Sequence, residues 1–177
     1  MKRELEHLLE MIDVATSRVT AEYFQLPVAD ADAVYRERVY CYELYHQLRS
    51  RWDGFPFSLG GEIDKSGNPH FRNGPYAGAE PDLLVHEPGN MDRNLAVVEV
   101  KSANVGLGGI RDDLRKLTWF CENARYFTGI FLMYGEAGDP AVALQKVRRA
   151  DGPGVNLGRI NCLYHRHAGA RPELIHP

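Results

Sequence analysis

The chain is predicted to be a mixed α/β protein. Amphipathic stretches with apolar residues at three- and four-residue steps alternate with short β-rich runs bounded by Gly, Pro and Asn. With 177 residues, 44% of them hydrophobic, it can bury a core without disulfides or structural metal, so one domain over 1–177 is expected. Charged residues at 25% and Gly and Pro confined to turn-like places exclude disordered and collagen-like classes.

The elements follow in order. Leu5, Leu8, Leu9, Ile12, Thr16, Val19 and Tyr23 form one stripe of an amphipathic helix, ended by Pro27 and the acidic 29–33 stretch. Val34, Cys41, Leu44, Tyr45 and Leu48 form the stripe of a second helix over about 34–51, stopped at Trp52-Asp53-Gly54. Phe57–Ile63 reads as a strand, and turn formers occupy 64–69. A long Gly/Pro/Asn segment over 70–80 carries Phe71, Arg72 and Tyr76, followed by two strand-like runs, 82–86 and 95–101, joined at Glu87-Pro88-Gly89-Asn90. After Gly106–Gly109 a third helix places Ile110, Leu114, Leu117, Cys121 and Ala124 on one face. Thr128–Tyr134 is a fully apolar buried strand. Pro140 opens a helix to about Ala150, and 159–164 forms a last strand.

No apolar run reaches the roughly 18 residues needed to span a bilayer, and Glu6, His7, Glu10 and Asp13 interrupt any secretory signal. The mature chain is expected to begin at Met1. Cys41, Cys121 and Cys162 are an odd set without a CxxC pair, which points to a reducing, cytoplasmic compartment. The net charge of −3 gives no global reason to expect a nucleic-acid partner. Yet residues 1–34 hold three basic against seven acidic groups, and residues 144–171 hold six basic against Asp151 alone.

In the run Asn94–Lys101 a two-residue period puts Leu95, Val97, Glu99 and Lys101 on one face. Asp82, Leu84 and His86 share a face of the preceding run, and Pro81 favours an extended entry to Asp82. If the two runs pair as a hairpin, Asp82 meets Glu99 and Lys101. Such hard oxygen ligands suit Mg²⁺ or Mn²⁺, which bind phosphate oxygens and activate water. Glu37 falls at the centre of the second helix's stripe, where a carboxylate needs a cationic partner, a metal or an arginine.

These residues carry a resemblance. Pro81-Asp82 followed by Glu99-Val100-Lys101 resembles the PD-(D/E)xK nuclease superfamily, the restriction-endonuclease-like fold. Its core of helix, three antiparallel strands, helix and strand is matched by residues 34–134, with 1–33 as an N-terminal helical extension and 135–177 as a C-terminal helix and strand. The resemblance implies a nuclease that hydrolyses phosphodiester bonds in nucleic acid, DNA being favoured over RNA. It implies metal ligation by Asp82, Glu99, the Val100 carbonyl and the first-helix Glu37, with Lys101 acting on the attacking water. Lys116 is the matching polar residue on the helix after the motif.

Other readings stand beside these. Glu99 and Lys101 also read as a surface ion pair, Glu37 as pairing with Arg36 or Arg38, and Glu62 and Glu80 as further metal ligands or, in preference, solvated carboxylates. His86 reads as a structural histidine or as facing the site. His165-x-His167 is a weak zinc pattern without a third ligand. Phe71, Arg72 and Tyr76 read as base-stacking groups or loop anchors, and the basic end as a phosphate track or a solvated face. The first helix reads as a homodimer surface or as a cover for the sheet. A catalytically inactive nuclease-fold module binding nucleic acid or protein is the alternative function.

Overall fold

In the computed structural model the described residues are 1–61, 75–76, 78–136 and 138–176. The elements run α1 (Lys2–Thr16), α2 (Ala21–Phe24), β1 (Leu26–Val28), β2 (Ala31–Val34), α3 (Glu37–Arg49), β3 (Ser58–Gly61), β4 (Leu83–His86) and β5 (Asn94–Ser102). They continue with α4 (Leu107–Asn123), β6 (Thr128–Tyr134), α5 (Pro140–Ala150), a 3₁₀ turn at Leu157–Arg159, β7 (Ile160–His165) and β8 (Glu173–Ile175).

A six-stranded mixed sheet in the order β3-β4-β5-β6-β7-β8 forms the middle layer. The β3/β4 and β4/β5 pairs are antiparallel, β5/β6 and β6/β7 parallel, and β7/β8 antiparallel. Every residue of β6 is buried, as expected for a strand covered on both faces. One face packs α1 and α3 through Leu8, Ile12, Leu44 and Leu48 against Val98, Val100, Ile130 and Leu132. The other packs α4 and α5 through Ile110, Leu114, Leu117 and Val147 against Leu84, Val97, Phe131 and Met133. Gly129 lets α4 lie close to the sheet, because a Cβ there would stand 3.0 Å from Leu117 Cβ and 3.3 Å from Ile160 Cγ1.

The apolar stripe of α1 is thus used within the chain. The helix stops at Thr16 rather than Tyr23: the Thr16 hydroxyl donates to the Ile12 carbonyl at 2.8 Å, and a separate short helix carries Tyr23. The second expected helix also starts later than its apolar pattern suggests. Residues 31–34 pair with 26–28 as a hairpin, turned at Asp30 with φ +57°, so Val34 is in a strand and the helix opens at Glu37. Leu95 is a further correction. A register shift at the β4/β5 end, between Val85↔Ala96 and His86↔Asn94, puts Leu95 with Ala96 in the α1/α3 cluster rather than on the Val97 face. Strand β8 extends the sheet beyond the last expected strand.

An aromatic group ties α2, α3, β6 and β7 together. Tyr40 stacks on Tyr134 at 4.0 Å, Phe24 meets His165 edge-on at 5.0 Å, and the Tyr40 hydroxyl lies 2.7 Å from His165 Nδ1. No helix among the described residues is long and apolar enough to cross a membrane. No disulfide joins Cys41, Cys121 and Cys162, all of which are buried.

Candidate active site

The antiparallel β4/β5 register pairs Leu83 with Val98 and Leu84 with Val97, so continuing it by one residue sets Asp82 opposite Glu99. Leu84 and Val97 lie in the α4-side core, and the alternation of the strand carries Glu99 and Lys101 onto that same side. The hairpin expected from the sequence is present, and Val97, Glu99 and Lys101 share a face as expected, without Leu95.

Asp82 stands just before β4, where the ladder has ended, and its Oδ2 accepts the Val100 N–H at 2.7 Å. A strand residue directs its N–H and C=O to the same neighbour. The Val100 carbonyl therefore faces the edge that Asp82 occupies. Glu99 is 3% exposed; its Oε2 lies 2.8 Å from Lys116 Nζ, while its Oε1 is buried without a hydrogen-bond partner among the described residues.

Lys101 Nζ is held 3.1 Å from Glu37 Oε2 and 3.1 Å from Asp113 Oδ2. Glu37 is the first residue of α3, a place where a carboxylate is favoured by the helix dipole. Its Oε1 accepts the Ser102 N–H at 3.0 Å. The Ser102 hydroxyl lies 3.1 Å from the same oxygen and 2.8 Å from Asn104 Oδ1, so its single hydrogen is shared between two acceptors. Both Glu37 oxygens are thereby engaged at the C-terminal end of β5, and its cationic partner is Lys101 rather than Arg36 or Arg38.

Asp113 and Lys116 come from α4, whose apolar face is pressed onto the sheet. Asp113 is buried, and Lys116 Nζ lies 3.6 Å from its Oδ1. Asp113 was not singled out from the sequence, although a signal existed. It falls three residues after Ile110 and four before Leu117, on the apolar stripe where a carboxylate needs a partner.

The electrostatics follow from burial and from an imbalance of charge. Four carboxylates, Glu37, Asp82, Glu99 and Asp113, face two ammoniums, Lys101 and Lys116, a formal charge of −2. Burial first, then the charge of Asp82, pushes Glu99 well above the usual carboxylate range despite Lys116. Burial likewise raises Asp82, against the Val100 N–H that opposes it, and raises Asp113, against Lys101 and Lys116. Burial pulls the Lys101 ammonium down, but Asp113 and Glu37 overcome it and hold its pKa above the ordinary lysine value. Lys101 is therefore a fixed positive charge and a hydrogen-bond donor, not a base.

The donor set fits a hard divalent ion: two carboxylates and a backbone carbonyl on one edge, a buried orphan oxygen on Glu99, and a formal excess of two carboxylates over ammoniums. Among the described residues no three His, Cys, Asp or Glu side chains already close around one point. The Lys116 ammonium occupies the cationic position at Glu99.

The remaining expected site residues are dispersed. Tyr76 rests on α4 beside Trp119, ring centroids 5.7 Å apart. Phe71, Arg72 and Glu62 lie outside the described residues, and Glu80 is exposed. His86 is at the far end of β4, about 13 Å along the strand from Asp82. His165 is buried on Tyr40, whereas His167 is exposed beside Glu136, so they do not form a zinc pair. In the basic end, Lys146 donates to the Ala103 carbonyl, Arg159 to the Tyr126 carbonyl at 3.1 Å, and Arg171 pairs with Asp13 at 2.8 Å. These three cations are engaged within the fold, whereas Arg148 and Arg149 of the same end are exposed. Comparisons of the chain with protein-family models, with curated proteins and with solved structures return no match.

Proposed function

We propose that this protein is a Mg²⁺- or Mn²⁺-dependent phosphodiesterase of the PD-(D/E)xK type that hydrolyses nucleic acid, with DNA the first substrate to test. The observation that carries the reading is the meeting of Asp82, Glu99, the Val100 backbone and Lys101 at one end of the β4/β5 pair, in a cluster of four carboxylates and two ammoniums. The order α3, β3, β4, β5, α4, β6, with the first three strands antiparallel and the last parallel to β5, supports it as well.

Asp82, Glu99 and the Val100 carbonyl would hold the ion. When bound, it supplies a Lewis acid for phosphoryl oxygens and a water of lowered pKa. Lys101, charged at neutral pH, donates a hydrogen bond to Glu37 and is ion-paired with Asp113, and it offers a remaining donor to the attacking water or to a phosphate oxygen. Glu37 and Asp113 are positioning residues that fix the Lys101 ammonium. In the net reaction a P–O bond forms from water, the P–O bond to the leaving sugar oxygen breaks, and that oxygen takes a proton.

A second reading, an inactive nuclease-fold module that binds nucleic acid or protein, draws on the seating of Lys116 against Glu99. The test is cleavage of single- and double-stranded DNA and RNA with either ion, alongside Mn²⁺ calorimetry. Cleavage lost in Asp82→Ala, Glu99→Ala and Lys101→Ala supports the first reading. No cleavage together with no Mn²⁺ heat sinks it, and salt-dependent nucleic-acid binding that survives Glu99→Ala without turnover establishes the second.

A further inference from the structure

Beside the carboxylate cluster, Cys41, Tyr42 and Tyr45 of α3, Gly61 at the end of β3, and Asp82 and Leu83 enclose a cavity of about 240 Å³. Asp82 stands between the two: its carboxylate belongs to the cluster, and its backbone carbonyl borders the cavity on the α3 face of the sheet. Gly61 keeps the cavity open: a Cβ there would stand 3.6 Å from the Asp82 carbonyl oxygen, 3.7 Å from Tyr45 Cδ2 and 3.8 Å from Leu83 Cδ2, ordinary contact distances that a side chain would fill. Tyr42 is 59% exposed, so its ring contributes little to the core, and Tyr45 is only partly buried against it.

We propose that this cavity is a subsite for one unpaired nucleobase next to the scissile phosphate, with Tyr42 and Tyr45 as its stacking faces. The proposal rests on the nuclease reading and adds to it a substrate class: single-stranded or locally unpaired nucleic acid. Two observations favour a base as occupant. A nucleotide whose phosphate lies at the ion beside the Asp82 carboxylate would bring its base over the end of β4 to the α3 side, where the backbone of the same residue borders the cavity. The walls are aromatic and largely uncharged, which suits the π-face of any base and does not suit a second phosphate. The weak basic character of the chain points the same way. With a net charge of −3 and three of the C-terminal cations engaged by the fold, backbone electrostatics contribute less, whereas stacking does not need a basic surface. A base seated here has left its stack, so duplex is the poorer ligand.

The test is fluorescence anisotropy of a labelled short single strand, the matching duplex and an abasic strand, each with Ca²⁺, on the whole chain and on Tyr42→Ala and Gly61→Val. Mn²⁺ calorimetry and circular dichroism are run on all three proteins. The single strand is expected to bind best, and both variants to weaken it by about five- to a hundred-fold while leaving the abasic strand and Mn²⁺ heat unchanged. Variants that bind the single strand as the parent does overturn the subsite and leave the nuclease reading standing. A parent chain that binds no strand and cuts none overturns both. Tyr42, being exposed, keeps the test valid if Gly61→Val does not fold.

Discussion

Lys116 Nζ sits 2.8 Å from Glu99 Oε2, an ammonium from α4 laid against the most buried carboxylate of the cluster. Truncating one member of a buried pair leaves the other uncompensated, at a cost of about 3 kcal/mol. Lys116→Met should therefore lower the melting temperature of the metal-free protein by about 6–12 °C, and adding Glu99→Gln should restore most of it. The same ammonium competes with a cation, so Lys116→Met should also tighten Mn²⁺ binding. Calorimetry and thermal melts on the two variants check both statements, and weaker Mn²⁺ binding in Lys116→Met would count against the cation position assigned here.

Glu37 and Asp82 are expected to behave differently on truncation. Glu37 gives both oxygens to Lys101 and Ser102, whereas Asp82 gives one to the Val100 N–H beside the proposed ion. Glu37→Ala should leave Mn²⁺ affinity nearly unchanged and lower kcat by roughly two orders of magnitude. Asp82→Ala should abolish Mn²⁺ heat. Glu37→Gln, which keeps an acceptor for Ser102 but not the charge for Lys101, should fall between Glu37→Ala and the parent.

The raised pKa values of Glu99, Asp82 and Asp113 set a pH dependence with a definite sign. The metal-free folded chain holds these protons above the ordinary carboxylate range, where the unfolded chain has lost them. Its stability should therefore fall as pH rises through the raised values. Metal binding needs the carboxylates ionised, so Mn²⁺ affinity should rise over the same window with release of protons. Titrations in two buffers of different ionisation enthalpy measure that release directly.

His165 works in the opposite sense. Burial lowers its pKa from 6.5 to about 4, with its Nδ1 held at the Tyr40 hydroxyl. A depressed value favours the fold above 6.5, and the contribution, about 3 kcal/mol, is lost as pH falls toward 4. Urea unfolding at pH 7 and pH 5 should show a steeper acid loss for the parent chain than for His165→Gln, after allowing for the variant's own lower stability.

Much of this was legible in the sequence, because the signals were local. The apolar run 128–134, the Pro140 helix start and the α4 stripe each depend on neighbouring residues, and each element lies where its pattern put it. The alternation that set Glu99 beside Lys101, with the hairpin that brought Asp82 to them, needed only a two-residue period and a turn. What was not legible depended on distant partners. Glu37 fell on a helical stripe by count, but pairing of 31–34 with 26–28 made it a helix start, where it reaches Lys101 and Ser102 across 64 and 65 residues of sequence. Leu95 turned to the other face because a bulge breaks the period that alternation assumes. Lys116 was singled out only through the resemblance, and Asp113 was passed over although it lies on the α4 stripe; their partners Glu99 and Lys101 come from another element, and the close seating of α4 on Gly129 brings them together.

The central claim is that Asp82, Glu99 and the Val100 carbonyl hold a divalent ion beside Lys101. A Mn²⁺-soaked crystal, with data collected to reveal the anomalous signal of manganese, tests it most directly. The account predicts a peak about 2.0–2.6 Å from both carboxylates and the carbonyl oxygen, with Lys116 moved off Glu99 toward Asp113. Lys116 still seated on Glu99, with no manganese between Asp82 and Glu99 at millimolar concentration, would contradict it.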